Sequence, residues 1–170
     1  MSNAVVLTGP MGSGKTSVGR LLAAQLGWEF VDLDALIAEE AGMSINAIFA
    51  DYGEPYFRQL EQDQLKRLIG REQVVVSTGG GAVINPENRR LMRLIGRVVN
   101  LNAPLDQLVA RLAAADDRPL LEGDEPRHVI IGRLLAEREQ YYADSDIRID
   151  TAVKSVEDVA AELLKRLHKG

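Results

Sequence analysis

The sequence predicts a three-layer α/β fold around a five-stranded parallel sheet. Three observations carry this. Short β-branched runs alternate with helical patterns along the whole chain. No two strand candidates are joined by a tight turn, so each pair needs a crossover and pairs in parallel. Glycine-rich or acidic segments directly follow three of the strands, where sheets of this kind bind ligands.

The elements follow in order. Ala4–Thr8 (AVVLT) is an apolar run that reads as a buried strand. Lys15–Leu26 sets Val18, Leu21, Leu22 and Leu26 on one helical stripe, with Gly27 as its stop. Glu29–Asp32 is a short strand, followed by a helical stretch to Gly42. Ser44 is placed to cap a short helix through Phe49. Pro55–Ile69 reads as a longer helix, with Pro in its first turn and Gly70 at its end. Val74–Ser77 is the third strand; Asn85 and Pro86 then open a helix as cap and first residue, and Gly96 closes it. Val98–Leu101 is a strand and Pro104–Ala114 a helix. Asp116–Pro126 carries acids, Pro and Gly without apolar periodicity and reads as a loop. Val129–Tyr142 is helical, Ile147–Ile149 is the last strand, and Ser155–Leu167 is a final helix with Ser155 as cap and Asp158 three residues on.

Composition narrows the function classes. At 170 residues, 46% hydrophobic and 26% charged, the chain is expected to form one globular domain, 1–170. A net charge of −5 argues against nucleic acid as a partner. Without cysteine there is no disulfide, thiolate metal site or cysteine nucleophile. No apolar run approaches the ~18 residues of a membrane span, and Met1–Ala4 does not resemble the start of a signal peptide. The expectation is a cytoplasmic protein with no membrane partner.

The strongest chemical signal is Gly9-Pro10-Met11-Gly12-Ser13-Gly14-Lys15-Thr16, which fits G-x-x-x-x-G-K-[ST] between a strand and an amphipathic helix. Glycines let backbone N–H groups curl around phosphate oxygens, and the helix N-terminus adds partial positive charge. Lys15 can reach the β- and γ-phosphates, and Thr16 can ligate Mg²⁺. Asp32-Leu33-Asp34 follows the second strand. Strand alternation would set both carboxylates on one side, for one Mg²⁺-linked and one substrate-linked role; a pair of solvated or helix-capping aspartates is the other reading. Arg58 and Glu61 share a helix face, either as a surface ion pair or as an arginine held ready for an anionic substrate. Thr78-Gly79-Gly80-Gly81 ends the third strand, either as a flexible loop or as backbone approaching a ligand closely. Arg118 lies in the acidic loop, where a lid could bring it onto a transferring phosphate. Arg111 could stack on a base, and Arg138 lies beside Tyr141-Tyr142. Any of the three arginines could equally be a solvated surface residue. His128 and His168 have no metal-ligand spacing.

Taken together, GPMGSGKTSVGR, DLD, FADYGEPYFRQLE, STGGGAV, RPLL and the Glu137–Asp146 segment resemble the shikimate kinases, small P-loop kinases related to the nucleoside monophosphate kinases. The resemblance spans about nine-tenths of the chain. It implies a P-loop kinase fold with an acceptor-binding insertion at about 33–70 and a lid at about 112–126. The implied activity is ATP- and Mg²⁺-dependent phosphorylation of the shikimate 3-hydroxyl, on the route to chorismate and the aromatic amino acids, by a monomer.

Carried over by position, the resemblance gives Lys15 the β- and γ-phosphates, with Gly12, Ser13, Gly14, Thr16 and Ser17 completing the phosphate contacts. Thr16 would ligate Mg²⁺ and Asp32 would bind it through water. Asp34 would bond the shikimate hydroxyls, the attacking one included. Arg58, steadied by Glu61, and Arg138 would clamp the carboxylate, with the backbone of Gly79, Gly80 and Gly81 lining the pocket. Arg118 would neutralise the transferring phosphoryl group, and Arg111 would flank adenine with a loop near Thr151–Ser155. Lys15, Asp34 and Arg118 are thus the implied catalytic residues. Another small-molecule kinase, such as a gluconate kinase, is the nearest rival. A regulatory GTPase would need an N-K-x-D segment, which is absent. A silent nucleotide-binding module would be expected to have lost Lys15, an aspartate or the lid arginine.

Overall fold

The computed structural model describes residues 3–113, 119–121 and 123–170. Arg118 lies outside the described residues, as do Asp116, Asp117 and Glu122 of the expected loop around it. Five strands, β1 (Ala4–Thr8), β2 (Glu29–Asp32), β3 (Val74–Ser77), β4 (Arg97–Asn102) and β5 (Ile147–Asp150), form one sheet in the order β2-β3-β1-β4-β5, and every pair is parallel. The α/β architecture is therefore as predicted.

Alternation along β1 sorts the core into two layers. Val5 and Leu7 point to the face covered by α1 (Lys15–Leu26) and α8 (Val156–Lys169), against Leu22 and Leu163. Ala4 and Val6 point to the other face. That face is covered by α2 (Leu33–Ala41), α3 (Ile45–Tyr52), α4 (Glu54–Leu68), α5 (Pro86–Ile95) and the end of α7 (Arg127–Tyr142). A third cluster joins Leu108 of α6 (Leu105–Arg111) to Ile130 and Ile131 of α7.

Local signals act as expected at most boundaries. Ser44 caps α3 by accepting from Ala47 N, and Asn85 caps α5 by accepting from Glu87 N. Ser155 and Asp158 form a full capping box. Three expectations change. The α3 helix runs on to Tyr52, because Gly53 (φ 84°) is the first residue able to break it. The α6 helix stops at Arg111 rather than Ala114. Pro119–Leu121 forms a single 3-10 turn inside the expected loop, with Leu121 buried against the α6–α7 cluster. A second 3-10 turn, Ala82–Ile84, had no signal in the sequence.

The topology fixes where a ligand can sit. After β1 the chain moves to the β2 edge. After β3 it crosses to β4 on the opposite side of β1. The connections leaving β1 and β3 diverge, which opens a crevice at their carboxyl ends. Register brings those ends level: Ser77 pairs with Leu7 on one side and Asp32 on the other.

Candidate active site

One pocket of about 640 Å³ opens at this crevice, a size suited to small-molecule ligands. One end is the loop after β1. Gly9 (φ +142°) lies so close to β4 that a Cβ there would meet Leu101 O at 2.1 Å, so only glycine fits. The loop turns through Gly12 and Gly14, both at positive φ, and Gly14 caps α1. Gly12, Gly14, Lys15, Thr16 and Ser17 all line the pocket. The Lys15 ammonium donates to the carbonyls of Gly9 (2.7 Å) and Pro10 (2.9 Å). It is thus folded over its own loop, at the place an anion would occupy. Ser13 does not line the pocket; its side chain is buried beneath the loop, beside Gly9.

The two aspartates reach the pocket by a route other than strand alternation. Asp32 ends β2 and caps α2, accepting from the N–H groups of Asp34 (3.1 Å) and Ala35 (3.3 Å). Asp34 already lies in the first helical turn, while Leu33 is buried in the core. Both acids line the pocket. Asp32 thus caps a helix and lines the pocket at once.

Arg58 of α4 also faces the pocket. Its Nη1 donates to both oxygens of Glu61 at 3.2 Å, and its Nη2 donates to Glu54 at 3.2 Å. Glu61 is wholly buried, so the pair is not a surface ion pair. Burial pushes its pKa up to about 7, against the pull of Arg58 and with help from the nearby Asp34 charge. Asn88 of α5 adds a weak donor to Glu61 Oε1 at 3.5 Å.

The glycine triplet works by size rather than by unusual dihedrals, since none of its residues has positive φ. A Cβ on Gly79 would sit 3.1 Å from Asp34 Oδ1, one on Gly80 3.4 Å from Arg138 Nη1, and one on Gly81 2.4 Å from Arg58 Nη2. The three missing side chains are the space in which Asp34, Arg138 and Arg58 converge. Arg138 itself reaches the pocket from α7 and is buried.

Arg111 and Ser155 lie outside this pocket wall. Arg111 spans the back of the loop, donating to Gly12 O (2.9 Å) and Thr151 Oγ1 (3.4 Å). The Ser155 hydroxyl is occupied as the cap of α8, accepting from Asp158 N at 3.0 Å. Sequence reasoning missed the apolar wall. Met11, Ile45, Phe49, Phe57 and Leu120 line the pocket, with the two phenylalanine rings 4.9 Å apart. On their helices these residues are indistinguishable from ordinary core positions.

Comparison with known proteins agrees with this geometry. The shikimate kinase family model matches residues 11–168. A shikimate kinase of Geobacter metallireducens is 57% identical over 159 residues, 94% of this chain and 88% of that protein. One from Moorella thermoacetica is 45% identical over 98% of this chain and 95% of its own length. The solved structure of a shikimate kinase from Acinetobacter baumannii in complex with shikimate superposes with a TM-score of 0.95 at 35% identity, covering 99% of this chain and 94% of that one. The enzyme from Aquifex aeolicus gives a TM-score of 0.85 at 38% identity, covering 97% and 96%.

Proposed function

The chain belongs to the shikimate kinase family, whose members phosphorylate shikimate with ATP and Mg²⁺ in aromatic amino acid biosynthesis, and we propose how its own residues divide that reaction. The observation that carries the proposal is the convergence of Lys15, Asp34, Arg58 and Arg138 on one pocket at the carboxyl end of the sheet.

ATP lies with its phosphates in the Gly12–Ser17 loop. The backbone N–H groups of the loop and the start of α1 bind the phosphate oxygens, and Lys15 leaves the Gly9 and Pro10 carbonyls for the β- and γ-phosphates. Ser13 contributes through its backbone, since its hydroxyl is buried beneath the loop. Mg²⁺ fits the donors present: a Thr16 hydroxyl and an Asp32 carboxylate on the same pocket are hard oxygen ligands, and this ion ordinarily keeps several waters and substrate phosphates. When bound it neutralises charge on the phosphate oxygens. Adenine lies on the Arg111 side, against the loop from Thr151 to Ser155, where Ser155 contributes position rather than its hydroxyl.

Shikimate occupies the acceptor end. Arg58 and Arg138 take its carboxylate, the first held from behind by Glu61 and Glu54. The backbone of Gly79–Gly81 passes beside it, and Phe49 and Phe57 offer the ring an apolar wall. Asp34 accepts the hydrogen bond of the 3-hydroxyl and aims its oxygen at the γ-phosphorus. That oxygen forms the new P–O bond as the bond to the β–γ bridging oxygen breaks, and the hydroxyl proton passes to Asp34. Phosphoryl transfer of this kind rests mainly on positioning and charge stabilisation. Arg118 takes the role the resemblance gives it, on the transferring group.

The acceptor region at 33–70 and the lid at 112–126 are insertions in one domain, and we assign the protein to the cytoplasm, where ATP is supplied, as a monomer. No helix among the described residues is long and apolar enough to cross a membrane. Coupled ADP release measured with shikimate, gluconate and nucleoside monophosphates tests the proposal, with Lys15→Ala as control. ADP release that requires shikimate and Lys15 is expected; equal turnover with gluconate would overturn it.

A further inference from the structure

Tyr142 has no part in the chemistry above, yet its phenol bonds to the glycine segment of the acceptor site. It ends α7, four residues after Arg138, so both side chains leave the same helix face. Its ring is packed into the core below the sheet, which leaves the hydroxyl no room to swing. That hydroxyl donates to Gly80 O at 2.6 Å, and Gly80 packs against Arg138, whose Nη1 lies 3.4 Å from where a Cβ on that glycine would sit. Burial raises its pKa, which keeps it a donor.

The two arginines of the pocket have different surroundings. Arg58 sits against two carboxylates. Arg138 makes no ion pair among the described residues, and its Nε has no hydrogen-bond partner among them. A neutral phenol that anchors the backbone beside the guanidinium adds no counter-charge, so the charge stays available for an incoming anion.

We infer that Tyr142 is a positioning residue for carboxylate recognition, anchoring the Gly80 carbonyl so that the glycine segment and the Arg138 guanidinium packed against it face the substrate in fixed register. The inference rests on the assignment of Arg138 to the shikimate carboxylate. The test is calorimetric titration of shikimate and shikimate methyl ester into wild type, Tyr142→Phe, Arg138→Ala and the double variant, with ADP affinity as the measure of an intact fold.

Tyr142→Phe is expected to weaken shikimate about ten-fold, while the ester and ADP change less than two-fold. In the Arg138→Ala background the same substitution is expected to add less than two-fold. Equal weakening of acid and ester, unchanged shikimate affinity, or fully additive losses in the double variant would overturn the role of Tyr142. If Arg138→Ala itself weakens acid and ester equally, the assignment of Arg138 fails instead, and this inference fails with it.

Discussion

At the phosphate end of the pocket the wall comes from one short loop, every residue from 11 to 17 but Ser13, and most of what it offers is backbone. At the acceptor end the wall comes from α2, α4, the β3 loop and α7, spread from residue 34 to residue 138, and what it offers is charged side chains. The first end is preformed by local dihedrals and one helix start. The second exists only because three glycines leave space for Asp34, Arg58 and Arg138 to meet. Phosphate binding should therefore tolerate changes at the acceptor end, and acceptor binding should be sensitive to single atoms there.

The largest expected effect comes from Asp34→Asn. It should lower kcat by about 10²–10⁴-fold, the usual worth of a positioned acid–base group, with KM for ATP changing less than about three-fold. An equal loss of ATP binding would erase the distinction between the two ends. Next is Arg58→Ala, which removes charge-assisted hydrogen bonds to the carboxylate and should raise KM for shikimate about 100-fold, with KM for ATP unchanged. A fall in stability with both KM values unchanged would make Arg58 purely structural.

A smaller effect should appear in stability rather than turnover. The pKa of Glu61 is raised from 4.5 to about 7 by burial. The contribution linked to its proton is fully present below about pH 4.5 and is lost as pH rises through about 7. Glu61→Gln carries no such proton. Its melting temperature relative to wild type should therefore climb between pH 5 and pH 7.5, by roughly 2–4 °C for each kcal/mol. A difference that stays constant across that range would mean Glu61 titrates as an ordinary carboxylate. The smallest effect is expected from Ser155→Ala. Losing the capping box of α8 should cost about 1 kcal/mol of stability, with KM for ATP changing less than two-fold because the hydroxyl serves the helix.

The comparison also explains which parts could be read in advance. The strand starting at Ala4, the helix starting at Lys15 and the cap at Ser44 depend on neighbours within a few residues, so local pattern finds them. Asp32 and Asp34 were recognisable as a pair, but the helix that places Asp34 begins one residue after the strand ends, which alternation could not anticipate. The glycine triplet drew notice as backbone seeking a ligand; its service as empty volume for three distant side chains was invisible without the fold. Phe49, Phe57 and Tyr142 lie in segments that carry the resemblance but were given no place at the site, because an apolar residue facing a pocket and one facing a core look alike along a helix.

Sequence alone therefore determined the parallel α/β sheet, the phosphate loop and the family, because each follows from short-range periodicity, turn chemistry or a contiguous motif. Only the tertiary structure decided that Glu61 is buried behind Arg58, that Asp32 both caps a helix and lines the pocket, and that Tyr142 anchors Gly80 beside Arg138. Those facts depend on helices separated by tens of residues packing onto one edge of the sheet. Burial, which shifts the proton affinity of Glu61 and holds Arg138 in place, arises from that packing and not from any local stretch of chain.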